Sequence, residues 1–480
     1  RAGCNGPAMD AEWLQVVPGV VRHIGQVLSR VNSVRQLLPR PFEDSCNRRS
    51  VARVPVDLVE WVKYWIGDPF AMNRSWQRQT ILFLGTQTIS LFGSALVQYA
   101  ISWHITLTTQ SGLMAAIAII CGFVPTFLLS PFAGVLADRY NRKAMIILAD
   151  AFIATATLLM ALLFLMGYDA LWLLFVISAV RALGAGVHQP AVGAILPDLV
   201  PAEHLMKVNA TNGTIQSLVT LVAPMISGAL LSLASIEAIF FVDVVTAAVA
   251  ILILLTLVQI PVHAKALQAQ TTSYFSDMKQ GFAYIKGHDY LKAYFLFSAA
   301  FMILAAPVAF LTPLQVSRTF GSDVWRLTAI EITFSLGMMV GGLFMAWWGG
   351  FRNKIHTMML SSLMVGAFTF LLGVVPVFWI YLTFMALIGV AMPLFNTPST
   401  VLIQEKVEPE YLGRVFGVLG MIGTSMMPLG MLIFGPVADL IPIEWLLMGT
   451  GVLMFVEGFF LVGTKVLVQA GRPADAAVEG

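Results

Sequence analysis

The chain has 480 residues, 58% of them apolar and only 11% charged, with a formal net charge of +2 and a mean hydropathy of +0.82. A water-soluble protein of this length needs more charge to cover its surface, so these figures exclude a soluble globular chain and place most of the surface in lipid. Nucleic acid is excluded as a partner for a similar reason: there is no basic block and no basic patch interleaved with aromatics.

Residues 1–71 differ from everything that follows. They are polar, mixed in charge and interrupted by Pro18, Pro39, Pro41, Pro55 and Pro69, with no apolar stretch of the kind a secretory signal carries. Met72 then opens Met72-Asn-Arg-Ser-Trp-Gln-Arg, an ordinary lead-in to a first membrane helix. We expect 1–71 to be an appendage or an upstream-extended translation, with a small regulatory domain as the alternative; its apolar content is thin for an independent core. N-terminal sequencing of the mature protein decides between them, and an intact Arg1 start contradicts the appendage. Cys4 and Cys46 fall in this extension and Cys121 in an apolar stretch. Their spacing suggests neither a metal site nor a disulfide framework, and no metal is expected.

From Met72 the chain falls into apolar runs of the length that crosses about 30 Å of hydrocarbon as a helix. The predicted spans are 80–104, 112–136, 144–166, 171–196, 209–234, 237–260, 291–316, 327–348, 355–375, 377–402, 413–438 and 443–467. Residues 72–260 thus hold six spans and 291–467 six more, with a linker at 261–290 and a tail at 468–480. With the lead-in inside, sixteen Lys and Arg fall on one side and only Arg318 and Arg326 on the other. That bias predicts cytoplasmic termini. In the linker, Phe275, Met278, Phe282 and Ile285 recur at helical spacing, which fits either a helix lying on the membrane surface or a solvated linker helix.

The halves also look like parallel repeats. Pro190 precedes Pro201 by eleven residues and Pro398 precedes Pro409 by eleven, at one offset of 208 residues. Each pair is expected to end a span and enter a short charged loop.

Between the second and third spans stands Gly134-Val-Leu-Ala-Asp138-Arg139-Tyr-Asn-Arg142-Lys143. This loop resembles, at every signature position, that of the major facilitator superfamily. The resemblance implies an all-α fold of twelve transmembrane helices in two six-helix halves, and secondary transport of a small molecule by rocking around a central site. It implies a monomeric, multi-pass plasma-membrane protein with no cofactor and no enzymatic reaction; no phosphate-cradling loop or nucleophile–base pair contradicts that. In the family the loop helps to lock the halves in the outward-facing state, which assigns Asp138 to the first helices of the opposite half. Gly134 permits close helix approach, and Arg139, Arg142 and Lys143 hold the loop at the anionic surface. Asp198, at the end of span four, is the expected partner of Arg142. A purely topological role for the loop stays open.

Span four carries Arg181-Ala-Leu-Gly184-Ala-Gly186. A guanidinium at that depth costs at least about 2.5–3.5 kcal/mol on insertion scales, so it needs a cavity or a partner. The pattern resembles the Arg-x-x-Gly-x-Gly element of proton-driven members, where the Arg is linked to proton transfer; a structural Arg tied to carbonyls is the alternative. Ala223-Pro224-Met-Ile-Ser227-Gly228 is similar to the Gly-Pro element of exporters, with Ala and Ser where Gly is expected; plain helix packing accounts for it equally. Whole-chain texture is similar to the macrolide-efflux branch, which also has siderophore exporters as relatives: Glu331-Ile-Thr-Phe-Ser-Leu-Gly-Met, Gly341-Gly342, Gln404-Glu405-Lys406, Asp150, Asp243 and Gly186-Val-His-Gln-Pro190-Ala. This resemblance implies export of a bulky amphipathic compound.

Four carboxylates lie inside spans: Asp150, Asp243, Glu331 and Glu457. Glu331 and Arg181 are expected at comparable depth, paired across the cavity as the proton-coupling groups if both face inward; a satisfied structural carboxylate is the equal alternative for Glu331. Asp243, on a span peripheral in the family fold, is the weaker coupling candidate and more simply a structural acid. Asp150 is expected to snorkel or to meet Arg142 or Lys143. Gln98, Tyr99, His188, Gln189, Gln216 and Asn396 are candidate cavity groups, each equally at home in helix packing; His188 is read as polar packing rather than a proton relay. Two rivals stand beside a proton-coupled drug exporter. One is a transporter of another cargo, such as a siderophore, or an importer; the other is a transport-dead sensor signalling through the extension.

Overall fold

The computed structural model describes residues 72–259 and 274–472; the side chains of 72–75, 130, 131, 133–139, 202, 274–278 and 409 lie outside that description. The chain divides into two units, Arg1–Met72 and Asn73–Gly480, and the second is described here. The expectations for residues 1–71 and for most of the tail fall outside the described residues.

All regular structure among the described residues is helical. The first half holds α1 (Met72–Thr109), α2 (Gly112–Arg139), α3 (Arg142–Leu165), α4 (Leu171–Leu199), α5 (Ala202–Leu233) and α6 (Ile236–Thr256). After α7 (Tyr274–Gly287), the second half holds α8 (Asp289–Phe310), α9 (Thr312–Thr319), α10 (Val324–Trp348), α11 (Lys354–Val374), α12 (Phe378–Lys406), α13 (Pro409–Leu440), α14 (Ile443–Gly463) and the short α15 (Lys465–Ala470). Twelve spans are long and apolar enough to cross a membrane, with α8 and α9 together forming the seventh.

Most predicted spans are found, and several helices overrun them. α4 continues to Leu199 and α5 begins at Ala202, because polar turns extend a helix beyond its apolar stretch. The seventh span is broken at Leu311, where Pro313 stands in the first turn of α9 and supplies no amide to the ladder. Pro190 and Pro398 lie inside α4 and α12 rather than ending them. The chain leaves those helices through the extended residues Val200 and Val407.

The packing pattern repeats between halves. α2 lies against α4 and α3 against α6 in the first; α10 lies against α12 and α11 against α14 in the second. The halves meet through α2 with α13 and through α5 with α10, two contacts that exchange under the same correspondence. α7 is neither a free linker nor an isolated surface helix. Ile285 is buried, Tyr284 stacks on Tyr411 of α13 at 4.4 Å, and Gly281 abuts the Arg414 backbone.

Candidate functional site

Arg181 on α4 is buried at the centre of the first half. Its guanidinium forms an ion pair with Asp243 of α6, donates to Thr157 Oγ1 of α3 at 2.5 Å and to the Ser94 carbonyl of α1 at 3.2 Å. Asp243 also accepts from Thr157 at 3.2 Å and from Ser94 Oγ at 3.4 Å, and is only 1% exposed. Four helices thus contribute to one neutralised charge pair. Gly184 and Gly186 permit it: a side chain at the first would strike Ile153 of α3, and one at the second would press on the Thr126 backbone of α2 at 3.3 Å.

This geometry corrects the expected pairing of Arg181 with Glu331. α6 packs on α3 and brings its carboxylate to the level of Arg181 inside the same half, so the guanidinium is satisfied there. Glu331 on α10 makes no hydrogen bond or ion pair with any described residue.

Asp150 is corrected likewise. It is buried on α3 and accepts from Ser90 Oγ of α1 at 3.0 Å, with His188 Nε2 of α4 at 3.3 Å. Arg142 is engaged elsewhere, with Asp198 at 2.5 Å and the Ala194 carbonyl at 2.7 Å; Asp198 is the partner the sequence predicts for it. Lys143 Nζ donates to the Val258 carbonyl at 2.7 Å and so closes the end of α6. Gly134, Asp138 and Arg139 lie in the last turns of α2; their side chains, and hence the expected reach of Asp138 to the other half, fall outside the described residues. Gln98, Gln189, Gln216 and Asn396 are exposed polar groups within spans, while Tyr99 is half-buried against Trp103 at 5.5 Å. No hydrogen bond joins these groups to one another among the described residues.

A second cluster was not anticipated. At the end of the molecule remote from Arg142, Asp439 in the last turn of α13 faces the start of α2. It accepts from the Gly112 amide at 2.7 Å, the Leu113 amide at 2.9 Å and Ser111 Oγ at 2.7 Å. Arg318 of α9 donates to Asp439 at 3.0 Å, to the Ala438 carbonyl at 2.8 Å and to the Gln110 carbonyl. Ser317 reaches Gln110 Oε1 at 3.0 Å. An acid at the C-terminal end of its own helix is opposed by the helix dipole. Placed at the N-terminus of α2, the same carboxylate meets unpaired amides and the favourable end of another dipole. That mismatch was the signal available in the sequence.

The model of the Major Facilitator Superfamily matches residues 83–431. The chain belongs to this superfamily. It is 31% identical over 380 residues to macrolide efflux protein A of Streptococcus pyogenes, covering 78% of this chain and 94% of that one. It is 23% identical to the staphyloferrin A transporter of Staphylococcus aureus, covering 81% and 98%. Among solved structures the nucleoside transporter NupG superposes with a TM-score of 0.59 at 16% identity, covering 82% of this chain and 99% of that one.

The two ends of this superfamily member differ in a way its glycines record. At the Asp439 end a side chain on Gly112 would collide with the Gly435 carbonyl, and one on Gly228 with Thr328 of the opposite half. Toward the Arg142 end, side chains on Gly213 of α5 and on Gly413, Gly417, Gly420 and Gly423 of α13 would enter open space. The halves are in close contact at the first end, and at the second these faces of α5 and α13 border open space. Gly435→Leu is expected to break the seal by overpacking, at a cost of about 1–3 kcal/mol. Labelling of a cysteine placed at Ser111 should accelerate correspondingly; an unchanged rate contradicts the seal.

Proposed function

We propose that this transporter exports a bulky amphipathic compound of the macrolide class across the plasma membrane, driven by protons moving inward. The observation that carries the cargo is the 31% identity to macrolide efflux protein A over 94% of that protein's length. The siderophore reading draws on a relative of comparable coverage at 23% identity, and is second for that reason. Proton coupling is supported by the Arg181–Asp243 pair, an ionised pair inside a span where charge is tolerated only with a partner or a function.

The charge asymmetry supports a cytoplasmic Arg142 end, and on that orientation the Asp439 contact closes the outer end while the open space beside α5 and α13 faces inward. Cargo enters between the first halves of α5 and α13. Protonation of Asp243 from outside weakens its hold on Arg181 and alters the packing of α1, α3, α4 and α6 together; the return of the ion pair follows proton release inside. The seal at Asp439 opens and closes in alternation with the Arg142 end, where the loop from Gly134 to Lys143 acts on the other half. Glu331, without an ionic partner, is the group that meets cargo or proton in the cavity. Glu331→Gln is expected to reduce efflux severely while labelled drug still binds; full efflux in that variant contradicts the assignment.

The overall reading is tested by erythromycin accumulation in an efflux-deficient bacterial host expressing the chain. Lower accumulation than in the empty host, abolished by a protonophore, is expected. Equal accumulation in both hosts contradicts macrolide export.

A further inference from the structure

α3 and α4 run antiparallel and are joined by three successive polar contacts. Thr157 meets Arg181; Asp150 meets His188 seven residues further along each helix; Arg142 meets Asp198 at the open end. Seven residues correspond to about 10 Å of helix, so the Asp150–His188 contact divides the path from the central ion pair to the open end. On α1, Ser94 serves the first contact and Ser90 the second, one turn apart.

We propose that Asp150 and His188 form a second proton-binding site, which passes protons between the Arg181–Asp243 pair and the open end. The inference rests on the proton-coupled reading above and assigns it a residue pair that the sequence reading did not join. Its geometry carries it. His188 Nε2 lies 3.3 Å from Asp150 Oδ1, yet is a buried nitrogen without a hydrogen bond. The nitrogen is thus within ion-pair distance of the carboxylate but turned off the hydrogen-bond line, and a buried polar atom left unpaired is costly until protonation or a small rotation brings an N–H onto the acid. Ser90 fixes the carboxylate from the other side, and the His188 side chain keeps 13% of its surface exposed.

The transfer moves a proton alone. Asp243 releases it as Arg181 re-forms the ion pair; His188 Nε2 accepts it through intervening water and becomes an imidazolium beside the Asp150 carboxylate. Loss of that proton to water at the open end restores the neutral ring. Among the other ionisable groups on the packed helices, His104 stands toward the far end of α1, and Glu203, His204 and Lys207 stand in the first two turns of α5. Arg181 is held by Asp243, Arg142 and Asp198 by each other, and Lys143 by the end of α6. Arg78 on α1 is exposed, Glu237 stands at the far end of α6, and α2 contributes Cys121 within its span. Asp138 and Arg139 stand at the far end of α2, with side chains outside the described residues.

The test is nitrogen-15 NMR of histidine-labelled full-length protein in lipid nanodiscs from pH 5 to 9. The signal lost in His188→Asn, or in His188→Gln if the first variant expresses poorly, identifies the residue. We expect it to change protonation state within that range in the wild type and to follow a different curve in Asp150→Asn. Efflux driven by a pH gradient should fall about tenfold or more in His188→Asn, with erythromycin binding retained. A His188 ring that keeps one state throughout overturns the inference. That result leaves proton coupling itself standing, since coupling is judged separately by the protonophore and by Asp243.

Discussion

Arg181→Ala is expected to abolish proton-driven efflux and to destabilise the first half, because it strands the Asp243 carboxylate in a site that is 1% exposed. Removing one partner of a buried ion pair costs about 3–5 kcal/mol. Asp243→Asn should have a comparable effect with the sign of the stranded charge reversed. The informative variant is the double one, Arg181→Gln with Asp243→Asn. It removes both charges while keeping hydrogen-bonding amides near Thr157 and the Ser94 carbonyl, so thermal stability should recover most of what either single change loses. Efflux should not recover, because nothing at the site then carries a proton. The measurement is melting temperature beside drug accumulation for the three variants. A double variant that is both stable and active would make the pair structural only.

Asp439→Ala should shift the molecule toward the state open at the Asp439 end. The carboxylate binds two backbone amides and a serine hydroxyl across the junction of the halves, and the Arg318 guanidinium within its own half. Hydrogen bonds to a charged group contribute about 1.5–3 kcal/mol each, and solvent at this partly exposed site lowers the total. A loss of about 2 kcal/mol overall still changes the ratio of the two states by roughly thirtyfold. Spin-label distances between Ser111 and Thr319, each replaced by labelled cysteine, should lengthen in the variant. Unchanged distances would show that apolar packing alone holds this end. Asp439→Glu is expected to behave more mildly, since the charge is kept and only its reach alters.

The fold was legible because the bilayer imposes it. Span length, the side on which Lys and Arg fall, and the two Pro pairs at a common offset are local or periodic properties of the chain. The helix break at Pro313 was equally open to reading and was passed over inside one long apolar run. Site pairing was legible where both partners stand at helix ends on the same side of the membrane, as Arg142 and Asp198 do. Arg181 was given the wrong partner because the choice between Asp243 and Glu331 depends on how α6 packs on α3, which no sequence period encodes. Asp150 was assigned to nearby cations for the same reason; Ser90 and His188 reach it from other helices. The Asp439 cluster carried a usable signal, an acid at the unfavourable end of a helix, although its complement at the start of α2 is more than three hundred residues away in the chain.

The most direct test of the account uses purified protein in proteoliposomes with an imposed pH gradient, following radiolabelled erythromycin and internal pH together. Drug should accumulate against its concentration gradient only while protons flow the opposite way, and both fluxes should disappear with Asp243→Asn. Drug movement that is indifferent to the pH gradient, or that persists in Asp243→Asn, would contradict proton-coupled export through the Arg181–Asp243 pair.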